Sequence, residues 1–308
     1  VEGEQPPSVK RVHRRRRGSR IAALVGVLVG LGLIVGIGYV LAQADIFDGG
    51  GSASAGPSAS TETEPPKPVL RVVFPEGFTR AEMARRIAAV NEIAVEKRGI
   101  TPSLRPRAYL AASGDTRLLP AGFKGSGAPD LEGFLFPATY SFTEDTTSEQ
   151  LVDLQLAAFD REWRKVDLDY AASKNLTPYD VLIIASMIEK EVQVPKERAL
   201  VSAVIYNRLK ARMPLGIDAT IRYGFHIPPT KAITRSQLES NNPYNTRTRV
   251  GLPPTPISNP GLAAMQAAAH PAKVGYLYFV RKADCKSHFF TRSEQEFLSY
   301  PRAGLQCG

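Results

Sequence analysis

Two glutamates close an otherwise apolar run, Val181-Leu182-Ile183-Ile184-Ala185-Ser186-Met187-Ile188-Glu189-Lys190-Glu191. A carboxyl group at the end of a buried helix is hard to ionise and keeps its proton near neutral pH, which is what a general acid needs. Cleavage of a glycosidic bond calls for such a proton on the leaving oxygen and usually for a second group that attacks or activates the attacker. Glu189 and Glu191 cannot form that pair, because residues two apart on a helix point to different sides. One of them acting alone suits a reaction in which the sugar's own hydroxyl is the nucleophile. The alternative is that both solvate a helix end beside Lys190, Lys196 or Arg198. Asp218, in Leu215-Gly216-Ile217-Asp218-Ala219-Thr220, is a further acidic candidate, or else a turn-forming Asp.

Other chemistries find little support. His13, His226, His270 and His288 are widely spaced with no H-E-x-x-H pattern, which disfavours a catalytic metal. Ser186 lacks the G-x-S-x-G elbow of a hydrolase nucleophile. Gly49-Gly50-Gly51 belongs to a tether rather than to a phosphate-binding loop. Polar and aromatic residues gather further on: Asn207, Tyr223, Tyr244 and Asn245 with Tyr206, Asn241 and Asn242, then the proline- and glycine-rich stretch 251–261. Aromatic faces stack on sugars and amides bond hydroxyl and N-acetyl groups, so the cluster suits a glycan groove; it serves equally well as buried structural polarity.

The acid is useful only if its helix is held, and the start signal is strong. Thr177 is an N-cap, Pro178 fits the first helical position and Asp180 completes a capping box. The apolar residues that follow keep to no single face, so the helix is expected to be buried on most sides, with only its last turn reaching a cleft. Pro195 restarts a helix through Arg212. Val69 to Phe74 reads as a strand, Thr79 with Glu82 as the start of a helix using Met83, Ile87 and Val90, and Pro106 to Ala112 as a second helix. Ser148 is expected to cap an amphipathic helix with Leu151, Leu154, Phe159 and Trp163. A helix from Pro260 to Ala269 and strands at Tyr276–Val280 and Ser287–Thr291 complete an α+β reading.

The N-terminal part places this unit. Residues 21–40 hold no charge and at helical rise span roughly 30 Å, a bilayer core. Ahead of them stand seven basic side chains against two glutamates, a flank that stays in the cytoplasm. The same arginine run argues for topology or anionic lipid rather than nucleic acid. The expected layout is a cytoplasmic tail over 1–20, a transmembrane helix over 21–42 and a flexible linker over 43–68. A small αβ module over 69–130 and a larger α+β domain over 131–308 lie outside. The chain opens on Val1 rather than Met, which leaves room for further cytoplasmic residues. The whole chain carries +9, an excess compatible with an anionic wall or membrane surface. Cys285 and Cys307 fall in the part placed outside, where an oxidising environment favours a disulfide over two free thiols.

Between Val69 and Thr291 the chain resembles the YceG-like (MltG) family of endolytic murein transglycosylases. The resemblance is carried by Leu131-Glu132-Gly133-Phe134-Leu135-Phe136-Pro137-Ala138-Thr139-Tyr140 and by Ala185-Ser186-Met187-Ile188-Glu189-Lys190-Glu191. It continues through Asn207-Arg208-Leu209, Met213-Pro214-Leu215 with Asp218, Thr220 and Tyr223, Pro243-Tyr244-Asn245-Thr246, Gly251-Leu252-Pro253-Pro254 and Asn259-Pro260-Gly261. The chain departs from it at Gly216, Ala219, Arg247 and Thr255, where many members have Gln, Pro, an aromatic residue and Gly. The resemblance implies Glu189 as the catalytic residue with Glu191 as a supporting neighbour, and a LysM-like glycan-binding module over the first αβ unit. It further implies a single-pass membrane enzyme cutting nascent peptidoglycan between N-acetylmuramic acid and N-acetylglucosamine to leave 1,6-anhydro ends. No cofactor is required, and the work is done beside cell-wall synthases. A water-using muramidase and a non-catalytic wall-binding scaffold are the rival readings.

Overall fold

The computed structural model describes residues 67–301. The expected tail, the transmembrane segment 21–42, most of the linker and Cys307 lie outside those residues. Among the described residues no helix is long and apolar enough to cross a membrane.

The described chain opens with β1 (Leu70–Val73), whose Leu70 and Val72 face inward while Arg71 and Val73 face solvent, the period of a half-buried strand. The turn Pro75-Glu76-Gly77 leads into α1 (Arg80–Arg98), which begins with the expected Thr79–Glu82 capping box and stops at Gly99 in the left-handed region. α2 (Pro106–Ala112) follows, and then β2 (Thr139–Phe142), which returns antiparallel onto β1 with Leu70 opposite Phe142. The sheet therefore straddles residue 130, where the sequence suggested a module boundary. α3 (Ser148–Trp163) is capped by Thr147, not by Ser148. Gln150, three residues after Thr147, closes a capping box, whereas the Ser148 hydroxyl turns inward and bonds the backbone of Arg105. Leu154, expected on the inner face, is 47% exposed.

After the short α4 (Asp169–Ala172) comes α5 (Pro178–Glu191), with the Thr177–Asp180 capping box in place. Its residues Val181 to Ile188 are all buried, so apolar contacts surround it as the sequence required. Burying Leu182 and Ile184 completely contributes about 2 kcal/mol each. A 3₁₀ turn at Pro195–Glu197 precedes α6 (Arg198–Lys210). Two short helices that the sequence did not announce, α7 (Asp218–Gly224) and α8 (Arg235–Leu238), lead to α9 (Leu262–Ala269), the most extensive partner of α5. The chain ends in the antiparallel hairpin β3 (Tyr278–Arg281) and β4 (His288–Thr291) and the small α10 (Glu294–Ser299). One apolar core runs from Leu70 through α5 to Ala269.

Candidate active site

The C-terminal part of α5 is fixed from two sides. Ser186, discounted as a nucleophile, accepts a hydrogen bond from the Ile257 amide at 3.0 Å, and the Ser258 hydroxyl bonds the Ser186 carbonyl. These contacts seat the 256–261 loop against the helix, which brings the Gly261 amide to the end of α5. The Gly261 N–H donates to Oε2 of Glu189 at 3.0 Å. From the other side the β1–α1 turn closes down: Gly77 would carry its Cβ 3.5 Å from Glu189 Cγ, and Lys190 Nζ donates to the Gly77 carbonyl at 3.1 Å.

Glu189 is half-buried in this corner. Burial raises its pKa above the ordinary carboxyl range. The Gly261 N–H opposes that shift, the nearby Glu76 adds to it, and Arg198 and Lys190 pull it back. The net displacement is upward, toward a carboxyl that still holds a proton where free glutamate has lost one.

Beside this corner opens a cleft of about 1600 Å³ lined by Arg80, Glu132, Lys190, Glu191, Asp218 and Tyr223, among others. Glu189 is not one of its lining residues, although its neighbour Lys190 is. Glu191 faces the cleft with its pKa raised by burial and by the Asp218 carboxylate, while Arg281 opposes the shift. Asp218 is the first residue of α7 rather than a turn residue, and Arg247 holds its Oδ1 through Nε at 2.7 Å. Tyr223 points its hydroxyl at Glu132 Oε2, 3.3 Å away, and packs at 5.1 Å between ring centroids against Tyr244.

Three of the expected substrate-binding residues have their polar groups engaged by the protein. Both donors of the Asn207 amide go to the Val274 and Tyr276 carbonyls, which pins the segment leading into β3 to α6. Asn245 is fully buried; its amide bonds the Leu238 and Ser240 carbonyls and its oxygen accepts the Arg247 N–H. The Tyr244 hydroxyl meets Thr255 Oγ1 at 2.8 Å.

Sequence reasoning assigned no role to Glu132. It is 4% exposed and accepts the N–H of Arg80, at the start of α1, and the Asn259 amide at 2.8 Å. Burial pushes its pKa up to about 8 against the bonds from Arg80 N–H, with Asp130 adding to the rise. Asn259 is the hub: its Oδ1 takes the Gly133 and Leu135 amides at 2.9 Å each, and its amide bonds both Phe78 and Glu132. Across the cleft, His288 Nδ1 and Glu197 form a buried pair at 2.8 Å. Glu132, Tyr223 and Asn259 were marked only by their place within the quoted motifs and the Glu197–His288 pair by none, since each contact joins residues about 90 to 130 apart. Among the described residues no three His, Cys, Asp or Glu side chains gather as metal ligands would.

The YceG-like family profile matches residues 57–302, and the chain belongs to that family. It is 34% identical over 256 residues to a protein of Streptococcus pneumoniae strain R6 named endolytic murein transglycosylase, covering 76% of this chain and 44% of that one. A Bacillus subtilis protein of the same name is 36% identical over 155 residues, covering 50% of this chain and 42% of its own. The chain thus spans less than half the length of these curated relatives. The crystal structure of a putative yceG-like protein from Listeria monocytogenes superposes with a TM-score of 0.61 at 30% identity, over 73% of this chain and 74% of that one.

Proposed function

We propose that this protein is a membrane-anchored endolytic murein transglycosylase. It cuts the bond between N-acetylmuramic acid and N-acetylglucosamine in nascent peptidoglycan, with Glu189 as acid and then base. The observation that carries the reading is the Glu189 carboxyl, half-buried at the end of a buried helix and held by one backbone N–H. The relatives' names supply the substrate class.

In the first step the Glu189 carboxyl gives its proton to the glycosidic oxygen, and the bond from that oxygen to the muramyl anomeric carbon breaks with its electron pair leaving on oxygen. In the second, the muramyl 6-hydroxyl oxygen bonds to the anomeric carbon while its proton passes to Glu189. The ring closes as a 1,6-anhydro end and the acid is regenerated. The Gly261 N–H fits both halves, because it stays bonded to the carboxyl and stabilises the anion between them. Glu191, Asp218 and Tyr223 line the adjoining cleft, where they would meet the sugar hydroxyl and acetamido groups. The β1–α1–α2–β2 unit would serve as a LysM-like module along the same strand.

The apolar run over 21–42 behind an arginine-rich flank supports a single-pass anchor with the enzyme outside the cytoplasmic membrane. Such an anchor would hold it where strands emerge from synthases. The test is digestion of uncrosslinked glycan strands by wild type and Glu189→Gln, with chain ends read by mass spectrometry. Wild type should give anhydro ends and the variant almost none. Reducing ends heavier by one water would mean a muramidase, and cleavage untouched by the substitution would remove Glu189 from the mechanism.

A further inference from the structure

The contact that no part of this chemistry has used lies on the β1–α1 turn. Gly261 packs so closely against that turn that a Cβ on it would stand 1.7 Å from Oε1 of Glu76 and 2.3 Å from its Cδ. The backbone of Gly261 is extended (φ −79°), so what a Cβ here would meet is the movable end of the Glu76 side chain and not a conformational barrier. The same Gly261 donates its N–H to Oε2 of Glu189 at 3.0 Å. Two carboxylates therefore meet across one residue, with oxygens within roughly 7 Å of each other by covalent geometry. The turn is not free to drift, because the Gly77 amide donates to the Asn259 carbonyl at 2.9 Å, the Asn259 amide to the Phe78 carbonyl at 2.9 Å, and Lys190 to the Gly77 carbonyl.

We infer that Glu76 is a positioning residue of the active site, whose carboxylate keeps the proton on Glu189 before bond cleavage and makes Glu189 the stronger base afterwards. Like charges held close disfavour ionisation of the second group, so Glu76 works in the direction both halves of the reaction need. The groups that face Glu189 are few. Glu76 comes from the β1–α1 turn, Arg198 from α6, Lys190 from α5 itself and the Gly261 N–H from the start of α9; Glu76 alone among them favours the protonated form.

The inference rests on Glu189 being the acid, and its test separates the two claims. The full-length chain in detergent is assayed for anhydro ends on uncrosslinked strands from pH 5 to 9, as wild type, Glu76→Gln, Glu76→Asp and Glu189→Gln. Removing the Glu76 charge should move the alkaline limb to lower pH, so that the ratio of rates at high and low pH falls about threefold or more. Glu76→Asp should restore most of the wild-type profile. Gly261→Ala gives an independent check: its methyl displaces the Glu76 side chain, keeps the N–H on Glu189 and should shift the limb the same way. A Glu76→Gln profile of unchanged shape, whether at full or uniformly reduced rate, overturns the role of Glu76. Full activity in Glu189→Gln overturns the proposed mechanism instead.

Discussion

Glu132 offers a measurement of what the buried polar centre does to the fold. In the folded chain its pKa is pushed up to about 8, whereas an unfolded chain releases that proton near the ordinary glutamate value of about 4.3. Between those two pH values the native state binds more protons than the unfolded one, so stability falls as pH rises, by up to about 1.4 kcal/mol per unit. Below the lower value the cost is absent, and above the upper one it is complete. Glu132→Gln keeps the shape and never ionises: its carbonyl can accept from Arg80 N and Asn259, and its amide can donate to the Tyr223 hydroxyl. From pH 5.5 to pH 7.5 the variant should therefore gain about 2 to 3 kcal/mol relative to wild type. Urea unfolding of both proteins at several pH values gives the difference directly. Two parallel stability curves would refute the reasoning, since they would mean that Glu132 already ionises freely in the folded state.

Two other substitutions probe the same architecture. Gly133 sits at φ +93° with Pro256 Cβ and Cγ only 2.7 Å from where a side chain would begin; Gly133→Ala should cost at least about 2 kcal/mol in thermal or urea unfolding, from backbone strain and overpacking together. The Asp218–Arg247 pair is about half exposed, so Arg247→Ala should change stability by less than about 1 kcal/mol. Its effect should instead appear as weaker retention of glycan strands in a pull-down, because Asp218 lines the cleft.

Several local signals were legible where a residue and its partner lie within one turn. The Thr79, Thr177 and Pro178 signals gave helix starts to the residue, and the all-round apolar run of α5 announced its burial. Ser148 misled because three hydroxyl residues, Thr146, Thr147 and Ser148, stand in a row; Ser148 has Leu151 three residues on, whereas Thr147 has Gln150 to close the box. α7 was hidden because it has no side-chain cap and is only seven residues long. Glu189 and Glu191 stood out together as carboxylates closing an apolar helix, and only the family resemblance pointed to Glu189 rather than its neighbour. The residues that act on Glu189 could not be read from the sequence: Glu76 lies on the β1–α1 turn and Gly261 on the 256–261 loop, far apart along the chain, and packing of that loop on Ser186 brings Gly261 to the end of α5. At Asn207 and Asn245 the sequence left a glycan-binding and a structural role equally open. Amides that suit sugars also suit loose backbone carbonyls, and here they satisfy the backbone.

Which of two carboxylates carries the proton is the point on which everything else turns, and the cleft itself leaves it sharply posed, for Glu191 lines it and Glu189 does not. Parallel turnover measurements on Glu189→Gln and Glu191→Gln, each with strand binding measured alongside, decide it. Glu189→Gln should lose about a hundredfold or more in anhydro-end formation with binding retained, and Glu191→Gln less than about tenfold. The opposite ranking, with Glu191→Gln inactive and Glu189→Gln still turning over, would contradict it.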